Sequence, residues 1–370
     1  MRIASFNVEN LFQRARAFEA ADSDAGREVL ALQSQINGIL GQPAYSNADK
    51  SEIVSLLGRL GLATSDDGSP FVILRQNRGR LLMRHVGGEI EVTARGRDDW
   101  VGWVELKVGP VNALSTRHTA QVIKDLAPDV LATVEVEDRL TLKGFSDVLL
   151  PAVGGTPYGH AMVIDGNDDR GIDVGVLVRD GLEIVSMRSH VDDIDAKGEV
   201  FSRDCAEYLI EGPAGSRVRL LVNHLKSKGY GNQRDNDAKR RRQAVRVAQI
   251  YKAARRAGEE HVAVVGDFND TPDAAPLRPL LSTPDLQDIT ESSHFASDGR
   301  PGTFGNGTKS QKLDYILLSP KLFDAATGGG IFRKGVWGGK NGTLWEHYPD
   351  MTSTAEAASD HAAIWADLDL

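Results

Sequence analysis

Seven short apolar runs, each bounded by polar side chains, constrain the fold of this 370-residue chain more than any other feature. They are Arg2 to Val8, Val130 to Glu135, Ile172 to Arg179, Val218 to His224, Val262 to Asp267, Leu313 to Leu318 and Ala362 to Leu368. Runs of this length, apolar at successive positions, read as strands covered on both faces. Helical patterns lie between them. Thr116 to Leu126 is stopped by Pro128, and Asp237 to Arg256 is a long basic amphipathic stretch. Strands alternating with helices predict an α/β architecture.

One region breaks the rhythm. Ala15 to Leu40 and Asn47 to Leu60 read as helices, while Phe71 to Arg75, Arg80 to His85, Glu89 to Ala94 and Trp100 to Lys107 read as strands punctuated by Gly87-Gly88 and Arg97-Asp98-Asp99. We expect a single domain over 1–370 with an insertion subdomain of helices and β-hairpins at about 13–112. It either buttresses the core or acts as a lid or substrate-recognition element.

Composition narrows the function classes. Net charge is 43 − 52 = −9, which argues against a whole-surface DNA binder but leaves room for a local basic patch. The single cysteine, Cys205, excludes an intramolecular disulfide and a cysteine-based metal cluster, and reads as a small buried thiol. The start, Met1-Arg-Ile-Ala-Ser-Phe-Asn-Val8, has no signal-peptide pattern, and no stretch approaches the roughly 18 apolar residues that span a bilayer. The expectation is a cytoplasmic protein with no membrane anchor and no obligate protein partner.

The polar ends of the runs carry the chemistry. Glu135 closes an apolar strand, a costly place for a carboxylate unless a salt bridge or a hard cation such as Mg2+ binds it. Asn7 and Glu9 flank Val8, so strand periodicity puts them on one face, as metal-orienting groups or as strand-end hydrogen bonders. His224 ends a strand, with Lys226 and Lys228 beyond it, a grouping suited to phosphate. Asp267 and Asn269 straddle Phe268, either holding a water between them or forming an Asx-type turn. Asp270-Thr271-Pro272-Asp273 reads as a turn that caps a helix. Asp314 is placed to fix the tautomer of an imidazole or is a plain strand-start acid, and Asp360-His361 supplies a carboxylate and that imidazole. Arg170 either forks onto a phosphate or pairs with Asp168 or Asp169. Lys239, Arg242 and Arg246 share a helical face, read by default as solvated and otherwise as a phosphodiester-attracting strip.

Taken in order, Phe6-Asn-Val-Glu-Asn10, Val134-Glu-Val-Glu137, Asn223-His-Leu-Lys-Ser-Lys228, Gly266-Asp-Phe-Asn-Asp-Thr-Pro272, Leu313-Asp-Tyr-Ile-Leu-Leu-Ser319 and Ser359-Asp-His361 closely resemble the endonuclease/exonuclease/phosphatase superfamily. The superfamily includes pancreatic-type deoxyribonucleases, abasic-site endonucleases, sphingomyelinases and inositol polyphosphate 5-phosphatases. The match covers residues 1–12 and about 113–370. It departs from compact members in the spacing 135 − 7 = 128 between Asn7 and Glu135, which the insertion fills. The resemblance implies a four-layer α/β/β/α sandwich of two packed mixed β-sheets flanked by helices. It implies phosphoester hydrolysis by an in-line water with Mg2+ or Mn2+, one ion or two, Ca2+ entering as a non-catalytic or structural ion. Carried over by motif, Glu135 is the main metal ligand, Asn7 and Asp360 stand near the metal, and Glu9 serves a second cation. Asp267 orients or deprotonates the water beside Asn269. His361, held by Asp314, contacts the scissile phosphate, and His224 assists there or at the leaving group.

The leading expectation is a metal-dependent nuclease with nucleic acid, DNA first, as its partner. The alternative is a phosphodiesterase or phosphatase acting on a lipid headgroup or small phosphate ester. A catalytically silent binding module is the third class, and the filled motifs argue against it.

Overall fold

The computed structural model describes residues 1–9, 11, 13–15, 24–110, 112–168, 170–229 and 232–370. Two compact units are present, one made of Met1–Phe12, Val111–Lys228 and Arg234–Leu370, the other of Gln13–Pro110 and Gly229–Gln233.

The larger unit holds two mixed sheets. One has seven strands in the order Phe295–Ala296, Ala326–Phe332, Ala363–Leu368, Arg2–Asn7, Val130–Val136, Asp173–Val178, His160–Ile164. The other has six, in the order Glu183–Arg188, Cys205–Glu211, Arg217–His224, Val262–Asp267, Asp314–Leu318, Gln287–Asp288. Side chains from both sheets, among them Ile3, Ala132, Val176, Leu220, Val265 and Ile316, interdigitate in one core. Alternate residues of the same strands point outward. Ala4, Leu131 and Leu177 meet the Ala113–Leu126 helix, and Leu221, Val264 and Leu317 meet the Gln233–Arg256 helix. The result is the four-layer α/β/β/α sandwich. Because both faces of the central strands are covered, their sequences run apolar without alternation.

Strand ends position the site. Arg2–Asn7 runs parallel to Val130–Val136 in one sheet, and Arg217–His224 parallel to Val262–Asp267 in the other. Period-two alternation puts Ile3, Ser5 and Asn7 on one face. It does the same for Leu220, Val222 and His224, for Val265 and Asp267, and for Ile316 and Asp314. The apolar members of these sets lie in the inter-sheet core, so each set ends in a polar side chain at the rim of that core.

The second unit has its own core. Leu30, Ile36, Ile53, Leu56 and Leu57 on the Asp24–Leu40 and Asn47–Arg59 helices pack against Trp100 and against Val72, Leu74 and Val104 of the antiparallel pair Val72–Arg78 and Val101–Leu106. Ser46 and Asp49 form a capping box that starts the second helix. The helix expected from Ala15 is described over Asp24–Leu40; Ala15 itself lies in the Gln13–Ala15 strand, and residues 16–23 lie outside the described residues.

Two local expectations are corrected. The Asp270–Asp273 turn caps no helix. The next helix, Arg278–Leu281, has Leu277 at its N-cap, and Asp270 instead accepts from Arg240 and Lys228. The face carrying Arg242 and Arg246 is only partly solvated, and its guanidinia are paired rather than free. Arg242 forks onto Asp195, and Arg246 donates Nε to Asp193 Oδ2 at 2.7 Å, so the helix is stitched to acids of the 193–195 segment.

Candidate active site

Register brings the six-stranded sheet's three polar ends side by side. His224 lies opposite Asp267, and Asp267 lies opposite Asp314 on the next strand. Adjacent side chains on one face of a sheet stand about 5 Å apart, so the three form a row. Gly266 makes this possible. At its φ of +128° a Cβ would sit 1.9 Å from the Asn223 carbonyl oxygen, so only glycine lets the strands close up beneath the row.

The other sheet supplies the facing groups. Asn7 donates Nδ2 to Glu135 Oε1 at 3.2 Å and to Asp267 Oδ2 at 3.3 Å, bridging the two sheets. Glu135 is the extra residue of a β-bulge. Val134 pairs with Val174 and Val136 with Asp173, which leaves Glu135 unopposed at φ +64°. A bulge re-aims a side chain, and here it turns a carboxylate that would otherwise follow the strand's alternation. Glu9 does not share the strand face with Asn7 as its spacing predicted. The strand stops at Asn7, and Glu9 sits at φ +50° with its N–H donating to Asn7 Oδ1 at 3.0 Å. From there Glu9 Oε2 accepts the Asp360 N–H at 3.1 Å, which ties the start of the chain to the Asp360-His361 pair.

Asp267 and Asn269 do form an Asx-type turn, with the Asn269 N–H donating to Asp267 Oδ1 at 2.8 Å and Asn269 at φ +54°. That turn also aims the amide. Asn269 Nδ2 reaches Asp267 Oδ2 at 3.1 Å and the Leu225 carbonyl at 3.1 Å. His361 Nδ1 lies 2.7 Å from Asp314 Oδ2, and its Nε2 is 3.9 Å from Asp267 Oδ2 and 3.8 Å from Asp360 Oδ1. His224 Nε2 stands 3.6 Å from Glu135 Oε1 and 3.7 Å from Asp267 Oδ2.

The two imidazoles are set to opposite charges. Burial pushes His361 down, but the Asp314 and Asp267 carboxylates push it further up, so it stays protonated well above its ordinary range. Burial, with the charges of Arg203 and Arg170, drives His224 well down and keeps it neutral. Asp267 is raised by burial and by the neighbouring Asp314 charge, which makes it a stronger base than an exposed aspartate.

Three charged residues expected to bind phosphate have different surroundings. Arg170 forks onto Asp168 at 2.9 and 2.8 Å. Asp169 lies outside the described residues. Lys228 pairs with Asp270. Lys226 is half-buried, and burial with the Arg170 and Arg203 charges brings it down to about 8. Sequence reasoning missed two residues. Arg203 is fully buried and donates to Asp168 Oδ2 at 3.0 Å and to the Leu225 carbonyl at 3.1 Å. Buried Thr303 donates Oγ1 to Asp314 Oδ2 at 2.6 Å and accepts the Asp314 N–H. No local pattern marks either one, since both act through tertiary contacts.

The chain matches the Endonuclease/Exonuclease/phosphatase family over residues 110–361. It belongs to that family. Members of the endonuclease/exonuclease/phosphatase family are phosphoester hydrolases that generally use divalent metals, and this chain is an enzyme of that class. No curated protein matches it. Among solved structures it is similar to a mannosyl-6-phosphatase of Bacteroides thetaiotaomicron VPI-5482, at 18% identity, 70% of this chain, 92% of that chain and a TM-score of 0.51. It is also similar to a family protein from Bacteroides thetaiotaomicron, at 18% identity, 68% and 86% coverage and a TM-score of 0.50. A third similarity is to D. rerio TDP2 complexed with single strand DNA product, at 17% identity, 70% and 92% coverage and a TM-score of 0.47. At these identities the likeness is one of fold.

The donor set suits the family's divalent cation. Asp267, Asp314 and His361 each offer a ligand atom within 4.8 Å of one another, but the His361–Asp314 hydrogen bond already uses two of them, and a protonated imidazole is no ligand. Glu135 fits better. Its Oε1 accepts only from Asn7, its Oε2 has no hydrogen bond among the described residues, and the half-exposed Asp360 carboxylate lies 3.8 Å from His361 Nε2. These are hard oxygen donors in an acidic setting. Among the described residues, no helix is long and apolar enough to cross a membrane.

Proposed function

We propose that the enzyme is a metal-dependent phosphodiesterase that cleaves nucleic acid, DNA first, by in-line attack of water on phosphorus. The observation that carries this reading is the surround of Asp267 Oδ2. It is met by Asn7 and Asn269 amides at 3.3 and 3.1 Å, with His224 and His361 within 3.9 Å. A raised carboxylate held by two amides is the device that takes a proton from water, and the cationic imidazole beside it attracts a phosphoryl oxygen.

Glu135, with Asn7 and Asp360 beside it, would hold Mg2+ or Mn2+, which when bound neutralises charge on a phosphoryl oxygen. Asp267 receives the proton as the water oxygen bonds to phosphorus and the bond to the leaving oxygen breaks. Asn269 fixes the Asp267 carboxylate. His361, kept cationic by Asp314, stabilises the charge that grows on the phosphoryl group. His224 stays neutral and lines the same centre without adding a competing cation.

The test is a panel of plasmid DNA, single- and double-stranded oligonucleotides, RNA, sphingomyelin and small phosphomonoesters, each with Mg2+, Mn2+, Ca2+ or chelator, with Asp267→Asn as the blank. Cleavage of nucleic acid that chelator and Asp267→Asn both abolish is expected. Release of headgroup or inorganic phosphate with nucleic acid untouched would overturn the nuclease reading in favour of the small-ester one.

A further inference from the structure

Beside the catalytic row lies a second cluster of positive charge that the hydrolytic chemistry does not use. Lys226 is clamped in place through its backbone. Its N–H donates to Gln243 Oε1 at 2.7 Å and its carbonyl accepts from the fully buried Arg240 at 2.6 Å. The carbonyl of Leu225, one residue earlier, accepts from both Arg203 and Asn269. The same Asn269 holds Asp267, so Lys226 has a fixed position relative to the water-activating carboxylate.

The side chain is less well provided for. Among the described residues no carboxylate lies within 4.0 Å of the Lys226 ammonium, nor of the Lys239 ammonium on the helix that clamps it. Lys226 and Lys239 repel one another, and both feel the charge of Arg203. Asp168 is the acid common to the cluster, and it is already shared by the Arg170 and Arg203 guanidinia. Glu199 acts on Lys239 only from beyond that distance. Both lysines are half-buried, so solvent screens them less than it would on an open surface.

Two buried donors next to them also lack partners. Arg203 Nε, on a side chain that is fully buried, and Ser227 Oγ, on the residue after Lys226, have no hydrogen bond among the described residues. A buried donor left unsatisfied costs about 1–3 kcal/mol. Cations with no carboxylate within 4.0 Å and donors with no partner among the described residues, in a chain of net charge −9, have the chemistry of an anion site.

We propose that Lys226 and Lys239, with Ser227 beside them and Arg203 behind, bind a second phosphate group of the substrate, the one flanking the scissile phosphate on a nucleic-acid strand. This rests on the phosphodiesterase reading and adds substrate length to it. A single-phosphate ester leaves the subsite empty, while a strand fills it.

The experiment compares wild type, Lys226→Gln and Lys239→Gln on bis(p-nitrophenyl) phosphate and on a short oligonucleotide, both with Mn2+. The ratio of kcat/KM for oligonucleotide over small ester is expected to fall on the order of tenfold in each variant, chiefly through KM. An uncharged methylphosphonate beside the scissile linkage should cost wild type a similar factor and cost the variants much less. Equal losses on both substrates, which would place Lys226 at the scissile phosphate, or an unmoved ratio would overturn the subsite. A second readout needs no turnover. With chelator present, inorganic phosphate should slow acetylation of Lys226 and Lys239, read by mass spectrometry, and absence of protection overturns the proposal. If wild type hydrolyses neither substrate while phosphate still protects both lysines, the phosphodiesterase reading fails and the anion site stands.

Discussion

Asp314→Asn tests the charge logic of the site most directly. The substitution keeps the size of the side chain and its oxygen toward His361 Nδ1 and Thr303 Oγ1, while the other oxygen, Asp314 Oδ1, has no hydrogen-bond partner among the described residues. What it removes is one negative charge 2.7 Å from the imidazole in a buried setting. At an effective dielectric of about 20 and charge centres about 4 Å apart, that charge is worth roughly 4 kcal/mol. Asp267 and Asp360, at 3.9 and 3.8 Å from Nε2, remain and retain part of the proton's stabilisation, so the His361 pKa is expected to fall while staying supported by the two remaining carboxylates. His361 is raised in wild type, and its cationic form is lost as pH rises through that raised value. Without Asp314 the loss comes earlier, and the basic limb of kcat/KM moves to lower pH. Asp267 is raised partly by the Asp314 charge, so the acidic limb moves down as well. The whole bell therefore slides toward acid, and its maximum drops on the order of a hundredfold as the imidazole loses its orienting charge. The assay is kcat/KM on an oligonucleotide from pH 5 to 10 at saturating Mn2+, with circular dichroism to verify folding. A folded variant whose basic limb does not move refutes the assignment of the cation to His361.

Two further outcomes follow from the buried charges and the bulge. Asp168→Asn leaves Arg203 buried with its acid neutralised and should destabilise the fold by about 3–5 kcal/mol in urea unfolding at pH 7. Burial would raise Asp168, but the Arg170 hydrogen bonds and the Arg170 and Arg203 charges hold it well below its ordinary value. Its contribution is therefore present above the unfolded-state value near about 4, and the gap between wild type and variant should close as pH falls below that. Glu135→Gly should abolish hydrolysis yet raise the thermal midpoint, because glycine relieves the φ of +64° by about 1 kcal/mol and a carboxylate is withdrawn from beside Asp267. A lowered midpoint would mean that Glu135 is structural.

The seven apolar runs were legible because strands buried on both faces carry a continuous hydrophobic signal. Val262–Asp267 ends where its sequence does, and Asn7, His224, Asp267 and Asp314 are the terminal residues of their strands. What escaped has physical reasons. The Glu183–Arg188 strand is mostly exposed and so has no apolar run. Ala326–Phe332 contains Gly328-Gly-Gly330, which supplies no β signal although the strand pairs along its length with Ala363–Leu368. Glu9 defeated the period-two argument because its backbone leaves the strand conformation one residue beyond Val8. Arg203 and Thr303 have functional neighbours only in three dimensions. The second phosphate subsite was half visible, because Lys226 stood in an evident motif while Lys239 was read as one face with Arg242 and Arg246, and those two turned out to be paired.

Backbone strain and charge repulsion converge on the same few residues, and this is informative about why they are there. Among the described residues, the non-glycine positions in the left-handed region are Glu9, Ala127, Glu135 and Asn269. Ala127 is explained by its place, since it closes the Ala113–Leu126 helix and donates to the Ile123 carbonyl, where a left-handed residue is the usual way to stop. The other three close no helix, and each costs on the order of 1 kcal/mol. They carry two carboxylates and an amide into a rim where Asp267 and Asp314 already repel each other. A sequence shaped by folding alone would put glycine at the Glu135 bulge and an uncharged residue opposite Asp267. The fold tolerates the opposite choice because the two sheets beneath are continuously apolar and stable enough to hold the rim in place. The strained residues bring their oxygens to the point where the two sheets' strand ends face each other, and that convergence is what a phosphoryl group and its cation require.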